Sequence, residues 1–479
     1  MTKDPILILQ MQRMGDLVLS FPLLGWLGAA YPGHPLWLVG EPAFFEPLLE
    51  LSPKATYFSY AMAPNLETAR FKLVINLSHR PEAAALAGRA RCEMRLGPWL
   101  DRDGSLRING DWQLYRASLT QNNRLNLYHW ADLNALDCIP EAVMRRTVWP
   151  RPRPLPELAE SGMRIGLFLG ASQAEKHPDA AFWAGLAKHL LRTGHKPALL
   201  GGPQEAALGR KTAALVGIHS INLCGRFSVG ELARFIARLD LLITPDTGPM
   251  HIAAWLGTPV LNLSIGPVSA WETGPRPPGH HVLRADLECV GCWQCYRERQ
   301  ICREVMTPGA ALAALERICG KDAPSQYADR GLRGLELSRT EQEAHGLYTM
   351  RSLTGTAAPA PRLLLSRFWQ AWFGEAFGRM PGDETAAALT ALAKQAPDAA
   401  RALGGALAAF APALARALRG NADTLLAHAD FWREAEEPAR PFAGYAQMLV
   451  QNGDGGREAR AEALAMAERL AELTGPVAD

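Results

Sequence analysis

The chain has 479 residues, of which 48% are hydrophobic and 20% charged, with a net charge of +2. That is enough chain for two or three domains with apolar cores, and it excludes a disordered polymer. The near-balanced charge gives no global signal for nucleic acid, and no apolar run reaches the roughly 18–20 residues that span a bilayer.

The first apolar stretch, Pro5–Leu9, reads as a buried strand. Arg13 and Asp16 follow too soon for a secretory leader, so a cytoplasmic protein is expected, with peripheral contact at the inner membrane face still compatible. The loop Gln10–Gly15 leads to an apolar helix from about Asp16 to Ala30, stopped by Tyr31-Pro-Gly-His-Pro35. Strands are expected at Leu36–Val39 and Leu73–Asn76, whereas 90–136 looks irregular. Trp149–Leu155 is Pro-rich and reads as a stiff, hinge-like linker. The pattern then restarts with strands at Arg164–Leu169, Lys196–Leu200, Ser220–Leu223, Leu241–Thr244 and Val260–Leu263. Between them lie helices at Asp179–Thr193, Gln204–Val216, Val229–Leu239 and from near Gly248. Alternating short strands and helices predict an α/β chain with two Rossmann-like doubly wound domains facing a cleft, at 1–150 and 151–322. From 323 to 479, Ala, Leu, Arg and Glu dominate. An all-helical accessory region is expected there, with helices at Arg362–Gly378, Thr385–Lys394, Ala399–Arg419, Asn421–Glu434 and Arg457–Leu473, serving assembly or partner docking.

Four loops lie just after expected strands, where ligands of such sheets bind. In Gln12-Arg-Met-Gly-Asp16, Asp16 reads either as a helix cap or as a carboxylate that accepts a proton from an attacking hydroxyl. In Gly170-Ala171-Ser172-Gln-Ala-Glu-Lys176, small residues expose N–H groups and Lys176 offers a charge to a phosphate, although the Gly-Lys-Ser order of a Walker A loop is missing. In Gly201-Gly-Pro-Gln-Glu205, Glu205 suits ribose hydroxyls or a helix's first turn. In Asp246-Thr247-Gly248-Pro-Met-His251, a strand feeds a helix N-terminus, whose unpartnered N–H groups attract anions.

Four of the eight cysteines cluster as Cys289-x-x-Cys292-x-x-Cys295 and Cys302. Four thiolates can complete a tetrahedral shell for zinc or iron, or hold an iron–sulfur cluster, and a structural role is expected. Disulfides or a reduced, metal-free cluster are the alternatives. The remaining four, Cys92, Cys138, Cys224 and Cys319, read as buried hydrophobes.

Taken in order, Met14-Gly15-Asp16, Gly170–Lys176, Gly201–Glu205, Asp246–His251, Gly257-Thr-Pro259, Gly266-Pro267 and Gly274-Pro275 resemble the heptosyltransferase family, glycosyltransferase family 9, over about Pro5 to Gly309. The resemblance implies a GT-B fold and inverting transfer of a sugar, typically heptose, from an ADP-sugar, with no metal needed for the chemistry. It implies Asp16 as general base and Lys176, Ser172 and the N–H groups at Thr247–Gly248 on the diphosphate. Ala171 joins the donor loop, Glu205 the ribose, Phe227 the adenine, Asp246 the sugar hydroxyls and His251 the diphosphate region. Two departures are His177-Pro178 in place of Trp-Pro, and Val268 in place of Thr after Gly266-Pro267. The four cysteines are similar to an iron site that supports oligomer assembly in the branch that acts on autotransporter proteins. The expected acceptor is a lipopolysaccharide-type or other surface glycan. Alternatives are a protein acceptor, a nucleotide-sugar epimerase, or a degenerate metal-clamped scaffold. No nucleic-acid partner is expected, and the C-terminal helices are the candidate surface for homo-oligomers.

Overall fold

All four residues of β1 (Ile6–Leu9) are fully buried, because this apolar run lies between two parallel neighbours and beneath helices on both faces. Those neighbours are β2 (Leu36–Val39) and β4 (Arg70–Asn76). With β3 (Thr56–Phe58), β5 (Arg91–Leu100) and β6 (Leu106–Asn109) they form a six-stranded sheet in the order β3-β2-β1-β4-β5-β6. The computed structural model describes residues 3–157, 162–289, 291–320, 331–354, 359–419 and 430–478.

The expected first helix is two helices, Met14–Leu19 and Phe21–Ala30. Pro22 has no N–H to continue the ladder, so the helix breaks at Ser20, whose hydroxyl bonds back to the Asp16 carbonyl at 2.9 Å. The stretch expected to be irregular holds β5, β6 and the helix Asp111–Ser118. The pivot is Gly97, at φ +82°, where a Cβ would lie 2.0 Å from the Asn76 carbonyl oxygen. Up to Leu96, β5 pairs parallel with β4. From Gly97 it pairs antiparallel with β6.

The second sheet runs β13-β12-β11-β10-β9-β7-β8. Its parallel strands are β7 (Arg164–Phe168), β8 (Lys196–Leu200), β9 (Leu241–Pro245), β10 (Val260–Ser264) and β11 (His281–Ala285). The expected strand at Ser220–Leu223 is instead a 3-10 turn, His219–Ile221, followed by a single bridge from Asn222 to Leu199 at the sheet's edge. There the Asn222 carboxamide accepts the Cys224 N–H at 3.1 Å and turns the chain away.

The region expected to be all-helical contributes two strands to the second sheet, β12 (Leu335–Gln342), antiparallel to β11, and β13 (Tyr348–Ser352), antiparallel to β12. Leu335 and Leu337 alternate with polar residues, a period-two pattern confined to the start of an otherwise polar segment. Beyond them lie the helices Pro361–Ala376, Glu384–Gln395, Pro397–Arg419, Arg440–Asn452 and Arg457–Ala478. The expected helix Asn421–Glu434 falls outside the described residues up to 429. Phe431–Glu434 is a 3-10 turn.

These helices do not stand apart. Phe368, Trp369, Trp372, Phe373 and Tyr445 share one buried core with Trp112, Tyr115 and Tyr128 of the N-terminal half. Phe373 sits 4.5 Å from Tyr115, and Phe377 sits 4.9 Å from Trp112, centroid to centroid. Among the described residues, no helix is long and apolar enough to cross a membrane.

Candidate active site

Every loop that closes over the cleft leaves the carboxyl end of a parallel strand. Gln10–Asp16 follows β1, Leu77–Arg80 follows β4, and the Lys176 loop follows β7. The Glu205 turn follows β8 and Asp246–Gly248 follows β9. Parallel pairing points these ends the same way within each sheet, which brings side chains distant in sequence to one face.

The two halves touch where the first and last of these loops meet. A Cβ added to Gly15 would lie 3.5 Å from Gly248 Cα and 3.6 Å from His251 Cδ2. One added to Gly248 would lie 2.8 Å from Met14 Cε. A Cβ on Gly15 would fit in ordinary contact, whereas one on Gly248 would displace the Met14 methyl, so the two helix starts meet closely at this point.

Asp16 is half-buried at the third position of its helix, and its Oδ2 accepts the Arg13 N–H at 3.2 Å. The capping role is therefore real, and it leaves Oδ1 for another partner. Its negative charge reaches three neighbours, opposing the loss of a proton from His251, His79 and Arg116. Burial nevertheless holds the His251 imidazole down at about 4, so it is neutral near pH 7. Its Nδ1 is buried with no hydrogen-bond partner among the described residues.

Across the cleft, Asp246 is half-buried, and burial raises its carboxyl. Against this act the Thr273 hydroxyl, which donates to Oδ2 at 2.5 Å, and the Lys176 charge. The Lys176 charge thus reaches Asp246. Its loop is braced by Gly266, at φ +80°, which leaves no room for a Cβ against the Glu175 carbonyl, and by the Gln300 side chain, which donates to that same oxygen. Thr247 is the N-cap residue of Gly248–Trp255, and its side chain makes no cap bond. Ser172 is exposed and Ala171 half-buried on the same loop as Lys176. Glu205 accepts the Gly202 N–H at 2.7 Å, and a Cβ on Gly170 would strike its carboxylate. One Glu205 oxygen is therefore occupied within its own turn. Phe227 stacks at 5.1 Å on Phe235.

Several residues that the loops did not announce stand here too. Glu272 precedes Thr273, and burial pushes its carboxyl up to about 7 despite hydrogen bonds from Asn123 at 2.6 Å and Asn126 at 3.0 Å. Arg116 donates to Asn134 Oδ1 at 2.9 Å and lies 5.5 Å over the Trp130 ring. These residues come from helices and loops with no glycine signature. The sequence signal for them was at most an unexplained buried charge.

The four clustered cysteines are neighbours. After burial, Cys289, Cys295 and Cys302 each raise the Cys292 thiol. Among the described residues, however, no three His, Cys, Asp or Glu side chains converge as a metal shell. The donor set itself, four thiols within mutual electrostatic reach, suits a thiophilic ion. The loop is tied inward by Trp293, whose indole N–H donates to Asn123 Oδ1 at 3.0 Å.

Two Rossmann-like halves, with strand-end loops facing across a cleft and a helix N-terminus at its mouth, define a GT-B glycosyltransferase architecture. The solved glycosyltransferase family 9 protein of Veillonella parvula shares this fold, at a TM-score of 0.51 and 19% identity over 66% of this chain and 97% of that one. The chain belongs to glycosyltransferase family 9 (heptosyltransferase), whose family model matches residues 60–298. Asp16 lies before the matched residues and Cys302 just after them. Among curated relatives, lipooligosaccharide heptosyltransferase 2 of Campylobacter jejuni is 27% identical over 172 residues, 34% of this chain and 54% of that protein. Lipopolysaccharide heptosyltransferase 1 of Pseudomonas aeruginosa is 29% identical over 137 residues, 28% of this chain and 38% of that protein. The chain thus spans about half the length, or less, of the curated relatives it matches.

Proposed function

We propose that this chain moves a sugar, heptose by its family, from an ADP-sugar held on the second half to a surface-glycan acceptor of lipopolysaccharide type held on the first. The observation that carries this reading is the meeting of Asp16 with the Asp246–His251 helix start at the Gly15–Gly248 contact.

The acceptor hydroxyl attacks the anomeric carbon from the face opposite the diphosphate, and the anomeric centre inverts. As the new carbon–oxygen bond forms, the bond to the diphosphate breaks and its electron pair leaves with ADP. The acceptor's proton passes to the free oxygen of Asp16. Lys176, the Ser172 hydroxyl and the N–H groups at Thr247–Gly248 take up the charge gathering on the diphosphate. They are fixed before reaction begins, so little reorganisation is needed. His251, held neutral by burial, backs the diphosphate region from within the same helix start. Asp246, held by Thr273, orients sugar hydroxyls. Glu205 keeps one oxygen for ribose, and Phe227 flanks the base. No protein-bound metal takes part in these steps.

Cys289, Cys292, Cys295 and Cys302 would hold a structural iron or zinc ion, or an iron–sulfur cluster, which would fix the loop that carries Trp293. The reading places the protein in the cytoplasm, at the inner face of the membrane where such glycans are assembled, with the C-terminal helices as the surface for self-association. Its test is transfer from ADP-heptose to a heptose-free lipooligosaccharide, followed by mass. A wild-type protein that binds ADP but transfers no sugar to this acceptor would refute it.

A further inference from the structure

A chamber of about 740 Å³ opens at the carboxyl end of β4, lined there by Asn76, Ser78 and Arg80, within the range of small-molecule sites. Its inner wall comes from the N-terminal half, including His79, Arg116 and Trp130. Its outer wall comes from the C-terminal helical region, with Trp432, Arg433 and Met448, and from Trp293 of the cysteine loop. Gln12, in the loop that carries Asp16, donates to Ser78 Oγ of the lining at 3.3 Å, and the Asp16 charge reaches His79 and Arg116, so the chamber adjoins the loop of the proposed base.

We infer that the C-terminal helical region completes a binding site for an acidic oligosaccharide in this chamber, with Arg116 as the anion anchor and Trp432 and Trp293 as faces for the sugar rings. The inference rests on the proposed function for calling that oligosaccharide the acceptor.

Three observations converge on it. First, Arg116 is a partly buried cation with no carboxylate within ion-pair distance among the described residues. The other two arginines of the lining are matched, Arg80 by Glu41 and Arg433 by Asp430 at 3.0 Å. The charges of Asp16 and Glu272 reach Arg116 only from beyond ion-pair distance, so its guanidinium keeps room for a direct bond to a ligand carboxylate or phosphate. Second, the lining holds the indoles of Trp130, Trp293 and Trp432 together with the side chains of Gln113 and Gln451, so apolar faces and planar amides occur in one chamber. That is the pairing a ring with one C–H face and several hydroxyls requires. Third, the edge of β6 is already taken. Asn452 accepts the Ile108 N–H at 2.7 Å and donates to the Ile108 carbonyl at 2.9 Å. A peptide therefore cannot add a strand at this edge, which removes the commonest way for a polypeptide to dock beside a sheet. The outer wall is firmly set. Arg107 pairs with Asp454, and Asn122 donates to the Arg440 carbonyl at 2.9 Å.

The experiment uses the full chain. De-acylated, heptose-free lipooligosaccharide core, a neutral oligosaccharide of similar length and a serine-containing peptide are titrated by calorimetry into wild type and Trp432→Ala, with ADP as a separate titrant. Wild type should bind the acidic core, and Trp432→Ala should bind it about tenfold or more weakly, as expected for loss of a central aromatic contact. ADP affinity should stay within about twofold, and because Trp432 also packs against the main core, the conservative Trp432→Phe, which keeps an aromatic face there, should restore most of the binding of the acidic core. Equal binding of the acidic core by the variant, no binding by wild type, or binding of the peptide alone would each overturn the inference. Binding of the core without transfer from ADP-heptose would support the chamber and overturn the proposed function instead.

Discussion

Arg276 Nη2 lies 3.1 Å from Asp132 Oδ1, and both side chains are only 1% exposed. The pair joins the two halves of the molecule. Arg276 also stacks over Trp26 and Trp149, at 5.4 and 5.0 Å, and Asp132 accepts the Tyr348 N–H at 2.8 Å. Desolvation outweighs attraction on both sides, since burial raises the Asp132 carboxyl and lowers the Arg276 guanidinium. Removing Arg276 alone strands a buried carboxylate, so Arg276→Met should cost about 3–5 kcal/mol in urea unfolding. Adding Asp132→Asn should recover most of it. A double variant as unstable as the single one would show that the arginine acts through its packing between the tryptophans.

Asp16→Asn keeps the side chain's size and an oxygen for the Arg13 N–H but cannot take up a proton. Transfer should fall by about two to four orders of magnitude, the usual contribution of a positioned base, while ADP binding and stability stay near wild type. Rate assays beside calorimetry separate these effects.

Glu272 gives a signed pH dependence. Its carboxyl is raised from 4.5 to about 7 by burial, so the folded state holds a proton that the unfolded state has released over that window. Stability from this group is therefore full below about 4.5 and declines as pH rises through about 7. Glu272→Gln, which keeps the shape and remains neutral, should flatten that decline in chemical denaturation measured from pH 5 to pH 8. A parallel profile in the variant would mean that Asn123 and Asn126 keep the carboxylate charged.

For the cysteine loop, protein purified without chelator should carry near-stoichiometric iron or zinc by elemental analysis, and Cys292→Ser should lose most of it. With the ion gone, Trp293 should become more mobile, read as a red shift and broadening of its emission in a variant that keeps this tryptophan alone. Wild type prepared under reducing conditions and free of any metal would remove the proposed site.

The C-terminal helices should not be separable. Phe373 packs against Tyr115, Tyr445 and Trp369, and the Tyr128 hydroxyl donates to the Gln370 carbonyl at 2.6 Å. Ending the chain near Thr354 would uncover Trp112, Tyr115 and Tyr128. Such a truncation should bind hydrophobic dyes or aggregate rather than remain a working donor half. Phe373→Ala in the full chain should cost about 3–5 kcal/mol. A soluble, cooperatively folding truncation would count against this.

The residues that announce themselves in the sequence are those whose role is local. Met14-Gly15-Asp16, Gly201–Glu205 and Asp246–His251 each follow a buried strand within a few residues. Chain order alone therefore placed them at strand ends, and their glycines marked where backbone must approach backbone. Other features were set by contacts across long separations, which leave no periodic trace. Arg116 meets the field of Asp16, Glu272 meets Asn123, and Trp432 shares a chamber with Trp130 only because the tertiary fold brings them together. The Leu335–Gln342 strand was hidden because only its first residues alternate apolar with polar, while Arg339, Glu341 and Gln342 make the rest read as surface. The helices after Pro361 showed their apolar stripes plainly, but a stripe does not say what it will cover. That it covers the N-terminal half, and so closes a chamber at the carboxyl end of β4, is decided by shape and packing between segments more than 200 residues apart in the sequence.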